Sequence, residues 1–121
     1  MIIKLKSFAN NAVSKTNGTK LKIKLDSTLY KKEKISVDFE WIDQYSFPFF
    51  NRSFVLLVTQ YGFQAIKQIE LLNISSEGKL IYKESMENAK FISELNEKQK
   101  QEIERIVKNA FDQITTAHSW L

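Results

Sequence analysis

The sequence predicts an α/β protein of one domain, and three observations lead to this prediction. Short apolar runs of strand type alternate with stretches whose apolar residues recur every three or four positions, as on one face of a helix. The chain has 121 residues, a usual length for one domain with a substantial core. Only three glycines and one proline leave little room for flexible linkers. Strands that alternate with helices form an α/β layer with right-handed crossovers.

The first third of the chain predicts one strand and then a segment with two interpretations. Residues 2–8 alternate apolar side chains with lysines, as a half-buried strand does, and asparagines and a glycine then indicate a loop. Residues 19–32 could be a strand, because apolar residues alternate with lysines there. Leu21, Leu25 and Leu29 equally form a helical stripe. We interpret this segment as a helix, partly because of the resemblance described below.

The middle of the chain predicts a buried strand and then a helix with clear ends. The strand covers residues 34–39, and the helix covers residues 46–61. Ser46 is a favourable N-cap, because its side-chain oxygen can accept a backbone N–H of the first turn. Pro48 is tolerated there since those N–H groups have no partner within the helix. Gly62 follows the last apolar turn, as is typical of a helix end.

The last third predicts a third strand and two further helices. A short apolar run favours a strand near residues 68–73, and a serine at position 75 or 76 begins a helix that ends near Lys90. Residues 95–119 form the most regular amphipathic pattern in the chain, with apolar residues on one face and charged residues on the other. We therefore predict a C-terminal amphipathic helix.

Charge is distributed unevenly along the chain. Residues 1–34 have a balance of +7, residues 35–121 have a balance of −3, and the net charge is +4. The basic end could attract nucleic acid, an acidic protein or an anionic membrane surface, although a solvated lysine-rich face is the simpler interpretation. The candidate nucleic-acid contacts are Lys15, Lys20, Lys22, Lys24, Lys31, Lys32 and Lys34.

The sequence predicts a cytoplasmic protein without a membrane partner. Its N-terminal segment alternates lysines with apolar residues, unlike a signal peptide, and no window approaches the length of a membrane span. The absence of cysteine excludes a disulfide framework, a Cys-ligated zinc and a thiol nucleophile.

We find no pattern that predicts catalysis. Asp38, Glu40 and Asp43 lie close in sequence, but solvation or interaction with the dipole of the following helix explains them better than a metal or acid–base role. His118 is the only histidine and lies far in sequence from any serine–acid pair. We therefore predict a protein that is not an enzyme and that binds no metal and no cofactor.

The order of elements and several short motifs resemble the bacterial STAS-like domain of unknown function, which is related to the STAS domains of sulphate transporters and anti-sigma factor antagonists. The matching features are Gly18 and Thr19, Val37–Phe39, Glu40, Ile42, Ser46, Phe49 and Leu71–Ile74. The resemblance implies a small mixed β-sheet with helices packed mainly on one side. Residues 1–92 would be the STAS-like core, and residues 93–121 a C-terminal helix packed on the same single domain.

The resemblance also implies a regulatory role exercised by binding. In anti-sigma factor antagonists, the loop and helix after this strand contact a histidine-kinase-like ATPase, and a serine near the helix start accepts phosphate. Phosphate adds nearly two negative charges and so changes a packed surface. Here the aligned residue is Pro48, which has no hydroxyl, and Ser46 is the candidate phosphorylation site nearby.

The predicted function is a non-enzymatic regulatory or adaptor module that binds a protein partner through the loop and helix start after the Val37–Phe39 strand. One helical turn cannot hide four successive side chains, so we expect Phe50 inside and Phe47 or Phe49 nearer the surface. The predicted contact residues are Asp43, Gln44, Ser46, Phe47, Phe49, Asn51, Arg52 and Ser53. Nucleic-acid binding is the alternative function. The sequence does not decide whether the protein forms a homo-oligomer.

Overall fold

A computed structural model describes the backbone of residues 1–118. It describes their side chains except those of Asn96, Glu97, Lys100, Val107 and residues 109–118. In chain order, the elements are strand β1 (Ile2–Lys4), a 3-10 turn (Leu5–Ser7), helix α1 (Lys15–Leu29), strand β2 (Ser36–Asp38), helix α2 (Phe47–Phe50), a π-helical stretch (Asn51–Val55), helix α3 (Leu56–Tyr61), helix α4 (Phe63–Lys67), strand β3 (Glu70–Leu72) and helix α5 (Ser76–His118).

The three strands form one parallel sheet in the order β1-β2-β3. In this register Ile3, Val37 and Leu71 lie side by side. The predicted α/β fold is confirmed. All three described strands are parallel, so this part of the chain contains no antiparallel strand of the kind that a mixed sheet includes.

The two faces of the sheet differ in how far the helices cover them. Ile35, Val37 and Phe39 alternate along β2 and its flanks towards one face, and all three are buried in the core. The helices pack against one another over this face. On the other face Ile2 is exposed, and Ser36 donates a hydrogen bond of 3.1 Å to the Glu70 carboxylate. This arrangement confirms the expectation of helices mainly on one side.

Helix α1 confirms the helical interpretation of the ambiguous segment. Leu21 and Leu25 are fully buried, whereas Ile23 between them is exposed, as a helical period requires. The helix begins earlier than predicted, because Ser14 accepts a hydrogen bond of 3.0 Å from the Asn17 N–H and so serves as the N-cap.

The predicted helix over residues 46–61 is present, but its middle is widened into a π-helical stretch. Within that stretch the Ser53 hydroxyl donates a hydrogen bond of 2.9 Å to the Phe49 carbonyl oxygen. A side chain that bonds the carbonyl four residues back competes with the backbone N–H and disturbs the regular ladder. Gly62 ends the helix with a φ of +93°, a conformation that glycine adopts easily.

The two helices predicted for the last third are one continuous helix, α5. Its first turn is capped by Ser75, whose hydroxyl oxygen accepts a hydrogen bond of 3.1 Å from the Gly78 N–H. No glycine or proline interrupts residues 79–118, which explains the missing break. Residues 119–121 lie outside the described residues. The division into a core over residues 1–92 and a packed C-terminal helix over residues 93–121 stays a prediction.

Candidate protein-interaction site

The candidate site begins with a tight turn directly after β2. The Ile42 N–H donates a hydrogen bond of 2.9 Å to the Phe39 carbonyl oxygen, which closes a four-residue turn. The Asp38 carboxylate accepts a hydrogen bond of 3.0 Å from the Glu40 N–H. Trp41, the third residue of the turn, has a φ of +66°. The turn therefore forces a bulky residue into the left-handed region.

Asp38 joins this turn to the loop that follows β3. Its carboxylate also accepts a hydrogen bond of 2.9 Å from the Asn73 side-chain amide. Asn73 has a φ of +55°, so both loops at this edge contain a left-handed residue. The Phe39 N–H donates to the Leu72 carbonyl oxygen over 2.8 Å, which holds the two chain segments together. The nearly buried Asp38 therefore positions the turn.

Trp41 is the most conspicuous side chain of the site, because it is 78% exposed. Its neighbours Phe39 and Ile42 are buried in the core. Sequence reasoning missed Trp41, since continued strand alternation would have placed it on the same face as Phe39. No glycine or asparagine in the turn marks the position that requires positive φ. The local sequence therefore contained no signal that this side chain would point outwards.

The loop then reaches α2 alongside a segment that precedes α1. The Ala12 N–H donates to the Gln44 carbonyl oxygen, and the Ser46 N–H donates to the Ala12 carbonyl oxygen, each over 2.9 Å. The Ser46 hydroxyl donates to the Val13 carbonyl oxygen and accepts from the Phe49 N–H over 3.4 Å. The predicted N-cap is confirmed. This hydroxyl therefore connects the segment before α1 to the first turn of α2, and a phosphate on Ser46 would remove its donation to the Val13 carbonyl.

The structure separates the predicted contact residues into two groups. Asp43, Gln44, Phe47, Asn51 and Arg52 are exposed, and Ser46 is half-buried. Phe49 and Ser53 are fully buried, so neither side chain can contact a partner at this surface. Gly18 of α1 packs against the Phe49 carbonyl, and the Ser53 hydroxyl is bonded to the same carbonyl. Phe50 lies inside as expected, and of the two rings expected nearer the surface Phe47 is exposed and Phe49 is buried.

The charged and exposed groups at this edge have mixed signs. Glu40 and Asp43 flank Trp41 in sequence and are exposed, and Arg52 is exposed on the helix that follows. Among the residues whose side chains are described, no group of three His, Cys, Asp or Glu residues could hold a metal ion. The His118 side chain lies outside that set.

The lysines of the alternative nucleic-acid interface do not form one patch. Lys20 and Lys24 share one side of α1. Lys15 and Lys22 lie on nearly the opposite side, because successive residues advance about 100° around a helix. Lys22 also forms an ion pair of 3.8 Å with Asp26. The three lysines that follow α1 lie beyond its other end, about 22 Å from its first turn.

A cleft of about 570 Å³ lies at the opposite edge of the sheet, near the amino ends of β2 and β3. Its lining includes Lys32, Lys34, Ile35, Tyr61 and Ile69. Among the predicted site residues, the cleft brings together only two of the candidate nucleic-acid contacts. It is therefore separate from the turn that contains Trp41.

Two tyrosines have raised pKa values, and both lie in the helix packing rather than in the turn. Tyr61 donates a hydrogen bond to the Asp26 carboxylate, which raises the pKa of its phenol, and desolvation and the charge of Asp26 act in the same direction. Burial against Phe50 and Phe54 raises the pKa of Tyr82 to about 12. Neither group supplies an acid or base at the site.

The fold defines the class of the protein as a small α/β domain with its helices over one face of a parallel sheet. The family model described as the STAS-like domain of unknown function (DUF4325) matches residues 17–79, slightly more than half of the chain. The chain belongs to this family, and the match runs from α1 into the first turn of α5. A search of curated proteins gave no match. A search of solved structures also gave none.

STAS-like domains are generally non-enzymatic, and membership of the family suggests a regulatory module that works through protein contacts. In the described part of the chain, no helix is both long enough and apolar enough to cross a membrane.

Proposed function

We propose that this protein is a non-enzymatic regulatory or adaptor module that binds a protein partner through its rim surface. We define the rim surface as the exposed side chains of Glu40, Trp41, Asp43, Gln44, Phe47, Asn51 and Arg52. The exposed, left-handed Trp41 is the observation on which the proposal depends. Phe49 and Ser53 are no part of this surface because they are buried.

Neither the backbone conformation of Trp41 nor its side chain adds much to the stability of the fold. A positive φ of +66° costs a residue with a Cβ about 1 kcal/mol relative to the right-handed region. The large apolar ring, 78% exposed, gains little from removal of apolar surface from water. A residue that is unfavourable in both respects is explained by contact with another molecule. Tryptophan is among the residues most enriched at the energetic centres of protein interfaces.

The turn presents Trp41 on a well-fixed backbone. Asp38 bonds both the Glu40 N–H and the Asn73 amide, and the Phe39 carbonyl closes the turn. Buried Ile42 secures the other end of the turn in the core. A surface that is ordered before binding loses less conformational entropy when a partner docks. This pre-organisation supports a binding role for the turn.

The charges around Trp41 indicate the chemistry of the partner. Glu40, Asp43 and Arg52 are all exposed, so a matching surface would place basic groups near an apolar pocket for the indole ring and an acidic group opposite Arg52. The family resemblance makes a histidine-kinase-like ATPase our proposed partner. Phosphorylation of Ser46 would add charge beside the rim surface, next to Phe47, where the Ser46 hydroxyl connects the starts of α1 and α2.

The test is capture of partners from a lysate of the native host, followed by mass spectrometry. Immobilised wild-type protein is compared with Trp41→Gly, Phe47→Ala and Arg52→Glu, whose side chains are exposed on the rim surface. Tyr30→Ala is the matched control, because Tyr30 is a similarly exposed aromatic residue just after α1, outside the rim surface.

We expect proteins retained by wild type and by Tyr30→Ala to be lost or strongly reduced with the rim variants. Circular dichroism spectra should be alike for all five proteins. If the rim variants retained the same partner at full strength, the site would be wrong.

A further inference from the structure

We infer that the part of α5 that follows Ala89 pairs with the same helix of another copy of this chain. The surface concerned is the α5 stripe, which we define as Ile92, Leu95, Ile103 and Ile106. This surface is separate from the rim surface, and the inference does not depend on the proposed function.

Helix α5 is longer than the part of the domain that it covers. Its 43 residues extend about 65 Å. Met86 and Ala89 are buried in the core, and Tyr82 packs against the aromatic rings of α2 and the π-helical stretch. After Ala89, no described side chain is buried. The described side chains of this part of α5 therefore have no cover from the helices and sheet.

The uncovered part of α5, which follows Ala89, still has a regular apolar face. The four residues of the α5 stripe are between 43% and 61% exposed. They recur after three or eight positions, and the pairs Ile92–Ile103 and Leu95–Ile106 repeat after 11 residues. The 11-residue repeat continues in the sequence at Ile114 and Ala117. An 11-residue repeat is a known pattern of supercoiled helix pairs, in which the stripe stays on one side of the helix.

The charges on this segment favour a second copy over a membrane surface. Residues 90–108 contain five basic and four acidic residues, so two copies carry little net repulsion. A helix that lies on an anionic membrane usually has a strongly basic polar face. Glu94, Lys98, Glu104, Arg105 and Lys108 lie away from the line of the stripe, whereas Glu102 borders it and Gln99 lies on it between Leu95 and Ile103.

The dimensions of the stripe also suit a pair of helices. From Ile92 to Ala117 the pattern covers 26 residues of α5, between three and four heptads in length, which is the extent expected of a coiled coil. A narrow apolar stripe is self-complementary under twofold symmetry, because each helix presents the same residues to the other.

Sedimentation equilibrium over a dilution series tests this inference. The proteins compared are wild type, Ile103→Asp, Ile106→Asp and the control Gln101→Asp. Gln101 is exposed and lies on the opposite side of α5 from the stripe, so its substitution adds the same charge where no contact is proposed.

We expect wild type and Gln101→Asp to reach the mass of two chains at high concentration and to dissociate on dilution. The two stripe variants should raise the dissociation constant at least tenfold. Near-ultraviolet circular dichroism should be alike in all four proteins, since the stripe lies outside the core. A wild-type protein that sediments as a single chain at every concentration would overturn the inference. This holds even if the protein binds anionic vesicles, since the stripe would then contact a membrane and not a second copy. Self-association at wild-type strength in both stripe variants would overturn it too.

Discussion

Between β2 and the end of the π-helical stretch, the aromatic side chains divide into a core group and a rim group. Phe49, Phe50 and Phe54 are fully buried, and the rings of Phe49 and Phe50 meet edge to face with centroids 5.1 Å apart. Trp41 and Phe47, which lie within a few residues of them, are 78% and 41% exposed. We therefore propose that the core group stabilises the fold and that the rim group contacts the partner. Substitutions in the two groups should therefore have separable effects.

The largest expected effect is that of Phe50→Ala in the core group. The Phe50 ring contacts the rings of Phe39, Tyr45, Phe54 and Tyr82. Removing such a ring leaves a cavity and should lower the free energy of unfolding by about 3–5 kcal/mol. Urea denaturation measures the change. Phe47→Ala, in the rim group, is the comparison and should cost less than about 1 kcal/mol. Equal losses in both variants would contradict the division.

The next largest effect is the pH dependence of the free energy of unfolding that comes from Tyr82, which packs against the core group. Its pKa of about 12 in the folded protein is above the ordinary value of 10. The folded state therefore keeps a proton that the unfolded state releases, and the free energy of unfolding should fall as pH rises from 10 to 12. The loss should be about 2 kcal/mol. Urea denaturation at several pH values should show a smaller fall in Tyr82→Phe. Parallel profiles of the two proteins above pH 10 would show that burial does not raise this pKa.

A smaller loss of stability should follow from a substitution at Gly18 that pushes α1 away from the core group. A Cβ at Gly18 would lie 2.5 Å from the Phe49 carbonyl oxygen and 2.9 Å from the Arg52 Cβ. Gly18→Ala should lower the free energy of unfolding by about 1–2 kcal/mol, because steric overlap outweighs the better helix propensity of alanine. Thr19→Ala, at the adjacent exposed position, should be neutral or slightly stabilising. A Gly18→Ala protein as stable as wild type would contradict this contact.

The smallest effect on stability is expected at the rim. Trp41→Gly relieves the positive φ but makes the unfolded chain more flexible, and little buried surface is lost. Thermal and urea denaturation should place its free energy of unfolding within about 1 kcal/mol of wild type. A loss as large as that of Phe50→Ala would show that Trp41 is a core residue in solution.

Local patterns predicted the parts of the fold that depend on neighbours in sequence. Ser46 caps its helix and Gly62 ends it, and the helical stripe of Leu21 and Leu25 is buried. The short helix α4, which was not predicted, lies in a stretch whose apolar residues also suit a strand.

The features that were missed depend on contacts between distant segments. The predicted helix over residues 46–61 is apolar nearly all round, so its sequence does not reveal that its backbone at Phe49 lies against α1. That orientation is set by the close approach of Gly18, which is distant in sequence. Trp41 points outwards because Asp38 bonds both Glu40 and Asn73, and this junction between two loops has no local signature.

The most direct test of the central claim is the affinity of Trp41→Gly for the partner that wild type captures, measured by calorimetry beside Tyr30→Ala. Loss of a tryptophan at the centre of an interface typically costs 2 kcal/mol or more. We therefore expect the dissociation constant to rise about 30-fold for Trp41→Gly and to stay unchanged for Tyr30→Ala. Wild-type affinity in a folded Trp41→Gly protein would contradict the claim that the rim surface is where the partner binds.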